Sequence, residues 1–514
     1  MTFTQWFLFI LIIQVIHFLG TWKLYVKAGR KAWEAIIPVY NAIVLMQIIN
    51  RPKWWVILLF LPIINLLMFP IIWVETIRSF GRHSTKDTVL VIVTLGFYIF
   101  YLSYMEDLKY VENRSLKPRT SGGEWVSSIA FAVIAATLVH TYFMQPYTIP
   151  TSSLEKSLLI GDFLFVSKFH YGARVPMTTV AAPMVHDTLP VLKVRSYLNK
   201  PQLPYLRIPA FQKIKRNDIV VFNWPVDTVE QFFKKTSRRI RKPIDKKSNY
   251  VKRCVGIPGD SLEIREGYVY INGKKNVLPD RARLQFFYET NTDGQALNVN
   301  SLKNRYHIRE GGRTQDGNYV LNLTKEDADL LKNNPSVKGL ERRLSPKGSR
   351  EEVFPNVKSL NWNKDYFGPI YVPEAGKTVA LNLETLPFYK KIIVEYEKNS
   401  LKVENGKIYL NGNSDPVTEY TFAQDYYWMM GDNRHNSEDS RYWGFVPFDH
   451  VVGKPVFIWF SWNSDGKGIE KVRWERLFTT VGGSGKPVSY FFPFVGLMFV
   501  LYGFNWYRKR KKAA

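Results

Sequence analysis

Long apolar runs crowd the two ends of this chain, while its middle carries short apolar runs bounded by turn residues. A helix needs about 20 mostly apolar residues to cross a bilayer. Residues 3–21 and 54–74 meet that length, 88–104 is shorter but spans with little tilt, and 125–144 and 488–507 meet it again. Trp54, Trp55, Trp125, Trp506 and Tyr507 stand at ends of these runs, where amphipathic rings favour the headgroup layer. The run 36–49 carries Pro38 and Asn41 and is too short, which predicts an interfacial or re-entrant segment. No basic residue precedes the first run, and Lys and Arg follow it, so 3–21 is expected as a retained span rather than a cleavable leader.

Residues 145–487 read as β-rich. Asp162-Phe-Leu-Phe-Val-Ser-Lys168 and Asp218-Ile-Val-Val-Phe-Asn-Trp224 predict strands. Gly267-Tyr-Val-Tyr-Ile-Asn-Gly273 and Gly406-Lys-Ile-Tyr-Leu-Asn-Gly412 resemble each other, and each ends in the Asn-Gly pair that favours a hairpin turn. They predict two similar hairpins flanking an insertion at roughly 280–400. That insertion is polar and mixed, with one short helix ending at Lys332 and capped by Thr324, and shows no chemistry of its own. The proline-containing stretch 176–213 reads as a long connection, and Gly482-Gly-Ser-Gly485 as a flexible link into the last apolar run. The expected fold is a mainly β outer domain with transmembrane α-helices at both ends.

At 46% hydrophobic and 15% aromatic, the composition is not that of a disordered chain. The net charge of +26 admits nucleic acid or anionic lipid as a partner. The basic residues flank apolar runs or fill the loop from Lys234 to Lys247, rather than interleaving with aromatic nucleic-acid motifs, which favours lipid and argues against nucleic acid. Basic residues also orient the chain. The tail Arg-Lys-Arg-Lys-Lys-Ala-Ala and the loop 105–124, with Lys109, Arg114, Lys117 and Arg119, read as cytoplasmic. Residues 125–144 then lead outward, 488–507 return, and 145–487 lie outside. One loop dissents: with about three spans before residue 105, residues 75–87 fall outside although they carry Arg78, Arg82 and Lys86. The lone Cys254 excludes an internal disulfide, and reads as a half-buried strand residue rather than a nucleophile.

Three segments carry candidate chemistry. They are Ile149-Pro-Thr-Ser-Ser-Leu-Glu-Lys-Ser-Leu-Leu-Ile-Gly-Asp162, Asn249-Tyr-Val-Lys-Arg-Cys-Val-Gly-Ile-Pro-Gly-Asp260 and Gly431-Asp-Asn-Arg-His-Asn-Ser-Glu-Asp-Ser-Arg-Tyr-Trp-Gly444. A serine hydroxyl needs a base to become a useful nucleophile. The eight histidines are scattered and form no metal-binding pattern; His435 alone sits in one of the segments, where a polar surface position is the ordinary outcome. A lysine can serve instead if burial disfavours its charged form. Lys252 lies among Tyr250, Val251, Cys254, Val255 and Ile257, with Arg253 as the one other charge.

In this order, beside an outward-leading span, the three segments resemble those of the bacterial type I signal peptidases, membrane serine proteases with a Ser/Lys dyad. The resemblance covers roughly 145–175, 215–275 and 425–462. It implies Ser153 as nucleophile, Lys252 as general base, and an oxyanion hole made by Thr151 and the Ser153 amide. Ser437 matches the serine that orients the lysine. Asp439 and Arg441 match a structural ion pair, and Gly431, Asp432, Asn433 and Arg434 the loop at the site's floor. Tyr147, Ile149, Leu158, Leu164, Val221 and Val251 match residues lining shallow pockets for small side chains. The implied activity is removal of N-terminal signal peptides from exported precursors, without metal or organic cofactor, in the cell's inner membrane, with the export machinery as a further expected partner. Two alternatives stand beside it: a Ser/Lys protease dedicated to one secretion-system substrate, and a non-catalytic peptide-binding assembly protein. The sequence departs from the family pattern at Leu154 and Lys156, where Met and Pro are usual, at His435, where Asp is usual, in its extra N-terminal apolar runs, and in its basic-tailed C-terminal span.

Overall fold

The computed structural model describes residues 2–228 and 240–513, so positions 234–239 of the basic loop fall outside the described residues. Among these the chain divides into two compact units: 2–144, 173–208 and 240–246 in one, 145–172, 209–228 and 247–513 in the other.

The first unit opens with α1, Phe3–Lys27, one continuous helix. Its start is fixed by a reciprocal cap: the Gln5 amide donates to Thr2 Oγ1 (3.2 Å), and the Thr2 amide to Gln5 Oε1 (2.9 Å). None of the next three apolar stretches forms one continuous helix. Within 36–49 the chain reverses at Val39 (φ 68°) into α2, Tyr40–Ile48. The run 54–74 splits into α3, Trp55–Leu59, and α4, Ile64–Ser79, with Ile63 at φ 71° after Pro62. The run 88–104 splits into α5, Thr85–Val93, and α6, Tyr98–Met105, across Leu95 (φ 51°) and Gly96 (φ 86°). A hydropathy window counts apolar side chains and cannot register a left-handed backbone reversal. At Gly96 a Cβ would lie 2.8 Å from the Trp73 indole, so the reversal also needs the missing side chain.

The short helices pack on one another and on α1 through Leu24, Tyr25, Val44, Met46, Ile72 and Val91. Their ends then gather. Lys27 pairs with Asp107 at 3.2 Å, and Tyr110 donates to the Ile48 carbonyl at 3.0 Å. Glu75 is buried against Arg51 (3.0 Å) and Arg114. The Val111 amide and the Arg114 Nε reach the Ser79 carbonyl and hydroxyl, both at 2.9 Å, and Arg82 pairs with Glu106. The loop 75–87, expected on the opposite side from 105–124, therefore packs directly against it. At the other end of α1, the Trp6 indole donates to the Gln202 carbonyl at 3.0 Å. α7, Ser121–Leu138, is capped by Thr120 and continues through a π-turn, Val139–Phe143. Phe3–Lys27 and Ser121–Phe143 are the two described helices long and apolar enough to cross a membrane.

The second unit is mainly β. Its principal sheet contains β1 (Met144–Thr148), β2 (Asp162–Ser167), β3 (Ile219–Asn223), β4 (Asn249–Gly256), β5 (Tyr426–Met430), β6 (Val446–Pro447), β7 (Val451–Ser461) and β8 (Thr479–Thr480). The order is β1-β2-β7-β3-β4-β5-β6, with β8 added to β7. The two expected hairpins close alike. The Asn272 amide donates to Ser261 O while its side chain accepts from Ser261 N; Asn411 and Ser400 repeat both bonds. Between them the insertion builds its own four-stranded sheet, Gly339–Arg342, Gln285–Asn291, Tyr319–Thr324 and Gly311–Arg313. The predicted helix Lys325–Lys332 lies against it, with Thr324 accepting from the Asp327 amide (3.1 Å). The last apolar run forms the helix Phe491–Ala513, with Phe492, Leu497, Phe499 and Val500 exposed.

Candidate active site

Ser153 sits where β1 gives way to a short 3-10 turn, Ser152–Leu154. The approach is held by Ile149, whose amide donates to Asp162 O and whose carbonyl accepts from the Gly161 amide, each at 2.9 Å. Leu154 and Leu158 plug into the core behind it, which leaves Ser153 at 7% exposure. Thr151 precedes the turn in an extended conformation, and its exposed hydroxyl is not spent on capping. The chain turns away at Lys156, which adopts φ 70° and whose ammonium reaches the His307 carbonyl at 2.5 Å. That reversal stands where a proline was the expected residue.

Lys252 lies in β4, opposite Val220 of β3, and is only 3% exposed. Burial disfavours its ammonium and pushes its pKa down from 10.5 to about 8, against the opposing pull of the Asp439 and Glu438 carboxylates. Its Nζ stands 5.6 Å from the Tyr250 ring centre. Two residues on, Cys254 is fully buried rather than half-buried, its thiol bonded to Gly256 O at 3.4 Å and pushed well up by burial.

The Ser153 turn packs against β4, and the third segment holds both. Met430 pairs with Arg253, so Gly431 follows at the lysine's neighbour. A Cβ at Gly431 would lie 2.3 Å from Ser437 Oγ and 2.5 Å from the Ser153 carbonyl, which is why glycine stands there. The Asn433 amide donates to Ser153 O (3.0 Å) and its side chain to Ser152 O (3.2 Å). Ser437 Oγ is buried with no partner among the described residues. No direct hydrogen bond joins Ser153 Oγ to Lys252 Nζ among them either. Catalytic contacts of this kind commonly close only with substrate in place.

Buried ion pairs stiffen the frame. Arg441 grips Asp439 through Nε (2.9 Å) and Nη2 (2.8 Å), both side chains fully buried. Burial pushes the Asp439 carboxyl up, but the Arg441 guanidinium outweighs it and holds the group below the usual carboxylate range. Asp432 is gripped likewise by Arg253 (2.8 and 2.6 Å) and accepts from Ser157 Oγ at 2.6 Å. Removing one partner of such a pair strands a buried charge, at a cost of about 3–5 kcal/mol.

The His435 side chain is buried, contrary to the surface position expected of it. Its Nδ1 accepts from the Phe287 amide (3.0 Å), and its Nε2 donates to Asp365 Oδ1 (2.8 Å). With both ring nitrogens engaged, it has no free electron pair to act as a base. All six expected pocket residues share one apolar cluster: Ile149, Leu158, Leu164 and Val221 buried, Tyr147 and Val251 at its margin, together with Leu154. Sequence reasoning missed the insertion's part. Gln285 bridges Asp432 O (3.0 Å) and the Arg434 amide (2.9 Å), Asp365 holds His435, and Glu310 holds Asn433 at 3.0 Å. No local pattern announces partners 70 or more residues away.

The site thus sets a buried serine on a turn that packs against the strand of a buried lysine, and the class of the protein comes from comparisons with known proteins. A family described as signal peptidase, peptidase S26, matches residues 122–321 and 372–462, more than half of the chain. A family of unknown function matches 33–113, the region of short helices. Signal peptidase I of Rickettsia canadensis is 24% identical over 72% of this chain and 96% of its own length. The enzyme of the same name from Rickettsia rickettsii is 25% identical over 70% and 93%, and that of Buchnera aphidicola (subsp. Baizongia pistaciae) 24% over 67% and 79%. The chain belongs to the S26 signal peptidase family, and with it to the serine endopeptidases.

Proposed function

We propose that the protein is a membrane-bound endopeptidase that removes signal peptides from exported precursors, cutting after small residues, with Ser153 as nucleophile and Lys252 as general base. The observation that carries this reading is a lysine at 3% exposure with its pKa pushed down to about 8, packed by the turn that bears Ser153. Neutral Lys252 takes the Ser153 proton as Oγ attacks the peptide carbonyl. The carbonyl oxygen becomes an oxyanion held by the Ser153 amide and Thr151 Oγ1. Lys252 then gives the proton to the leaving amine, the C–N bond breaks, and an acyl-serine remains. A water deprotonated by Lys252 attacks the ester and releases the carboxyl end of the signal peptide. Ser437 Oγ, buried and without a partner among the described residues, is the acceptor available to orient the lysine. The apolar cluster around Ile149, Leu164 and Val221 offers shallow room for small side chains.

Topology is part of the proposal. α1 crosses the bilayer once, with its N-terminal end outward. The short helices between residues 32 and 105 enter and leave from the cytoplasmic face, where Lys27, Arg51, Arg82 and Arg114 gather. α7 crosses back, the catalytic unit stands on the outer side, and Phe491–Ala513 returns the basic tail to the cytoplasm. This places 75–87 in agreement with its charges. Precursors, membrane lipid and the export machinery are the partners it entails.

The test is cleavage of several unrelated precursors by purified full-length protein, with cut sites mapped by mass spectrometry. Ser153→Ala and Lys252→Ala are each expected to lose at least a thousandfold in rate while still inserting and folding, as removal of a catalytic nucleophile or base does. Near-normal cleavage by Lys252→Ala refutes the dyad. Cleavage of a single precursor marks a dedicated protease, and cleavage of none a binding protein.

A further inference from the structure

The insertion reaches the nucleophile through one carboxylate oxygen. Glu310 leads into the insertion strand Gly311–Arg313, where its carbonyl accepts from the Asn322 amide at 2.9 Å. Its Oε2 accepts from three side-chain amides: Asn436 at 2.8 Å, Asn433 at 3.0 Å and Asn322 at 3.2 Å. Each amide spends its second proton elsewhere. Asn433 donates to Ser152 O (3.2 Å), Asn436 to Ser152 Oγ (3.1 Å), and Asn322 to Asn433 Oδ1 (2.7 Å). The Asn433 backbone amide then holds Ser153 O at 3.0 Å. Both peptide oxygens around the nucleophile are thus fixed by Asn433, one through its side chain and one through its backbone amide, and the Asn433 side chain is held by Glu310.

We infer that Glu310 is a positioning residue for the peptidase reaction: through Asn433 and Asn436 it sets the placement of the Ser153 turn, and with it the hydroxyl and the amide of the oxyanion hole. The chemistry requires an acceptor with no hydrogens of its own. An ionised carboxylate satisfies three converging NH2 groups; a primary amide in its place brings two donors into a site already full of them. Among the described residues Glu310 has no hydrogen bond or ion pair to Lys252, and its side-chain bonds lead to the Ser153 turn. A displacement of about 1 Å at a reacting atom can cost a hundredfold in rate.

This inference rests on the peptidase reading, and the experiment separates the two. Wild-type full-length protein and Glu310→Gln are compared on one precursor for kcat, KM, pH profile and melting temperature. The expected result is a kcat lowered roughly ten- to hundredfold, with KM, the pH midpoint and the melting temperature unchanged. A wild-type protein that cleaves nothing sinks both readings. A wild type that cleaves normally, with Glu310→Gln within twofold of it, overturns the inference alone, as does a loss confined to KM or a shifted pH midpoint. Should Glu310→Gln not fold, Asn436→Ala removes the side chain that joins Glu310 Oε2 to Ser152 Oγ, from an exposed position. With both of those bonds gone and the Asn433 contacts left in place, it is expected to lower kcat by about three- to tenfold, a fraction of the misplacement penalty, and an unchanged kcat there also overturns the inference.

Discussion

The depth at which Lys252 is buried fixes a pH profile. With its pKa at about 8 rather than 10.5, roughly a tenth of the lysine is neutral at pH 7, some 300-fold more than for a solvated lysine. Rate should follow that neutral fraction. For wild-type protein on a short precursor peptide, kcat/KM, which reports the free enzyme, should rise about tenfold per pH unit below pH 7.5 and level off above about 8.5. Glu438→Gln supplies the perturbation. Its carboxylate stabilises the ammonium, so its loss should move the midpoint downward and raise activity at pH 6–7. Glu438 is solvent-exposed, so the shift should be small and shrink further with added salt. A midpoint near 6.5 would point to an imidazole, and one near 10.5 to a solvated lysine; either refutes the reasoning. An upward shift in Glu438→Gln would refute the charge argument on its own.

Three further outcomes are expected. Lysine burial has a stability cost: below about pH 8 both folded and unfolded states carry the proton and the full penalty of about 3 kcal/mol is present, and between 8 and 10.5 only the unfolded chain still binds it, so stability rises with pH. Lys252→Met should therefore raise the melting temperature at pH 7, with a gain that fades towards pH 10; no gain at pH 7 counts against a strained lysine. Gly431→Ala must displace Ser437 Oγ and the Ser153 carbonyl, so it should cut kcat by roughly a hundredfold and lower stability by about 1–3 kcal/mol; wild-type kinetics would show the contact to be slack. Lys86→Cys, at an exposed site in the first turn of α5, should react with a membrane-impermeant maleimide only from the cytoplasmic face, whereas labelling from outside would restore three full spans.

The strands and caps were legible because their signals are local. Asp162–Lys168 contains β2, Asp218–Trp224 contains β3, and Thr324 caps the helix that follows it. The short helices were not, because 54–74 and 88–104 are as apolar as spans, and only the backbone at Ile63 and Leu95 makes them turn. Within the site, the three segments could be singled out from their order, and the Ser153 turn, β4 and the third segment pack together. His435 could not be placed, because its partners Phe287 and Asp365 lie in an insertion whose sequence is plain polar mixture. Glu310 was invisible for the same reason: its meaning depends on three asparagines that meet only after the chain has folded.

Cys254 adds a practical consequence. It is the chain's one thiol, two residues beyond Lys252 on the same strand and sealed from water. A thiol-reactive dye can reach it only when that strand parts from its neighbours, so the labelling rate of native protein is a clock for excursions of the very element that carries the amine. Any ligand that seats a peptide along this sheet should slow that clock, giving a binding assay that needs no cleavage.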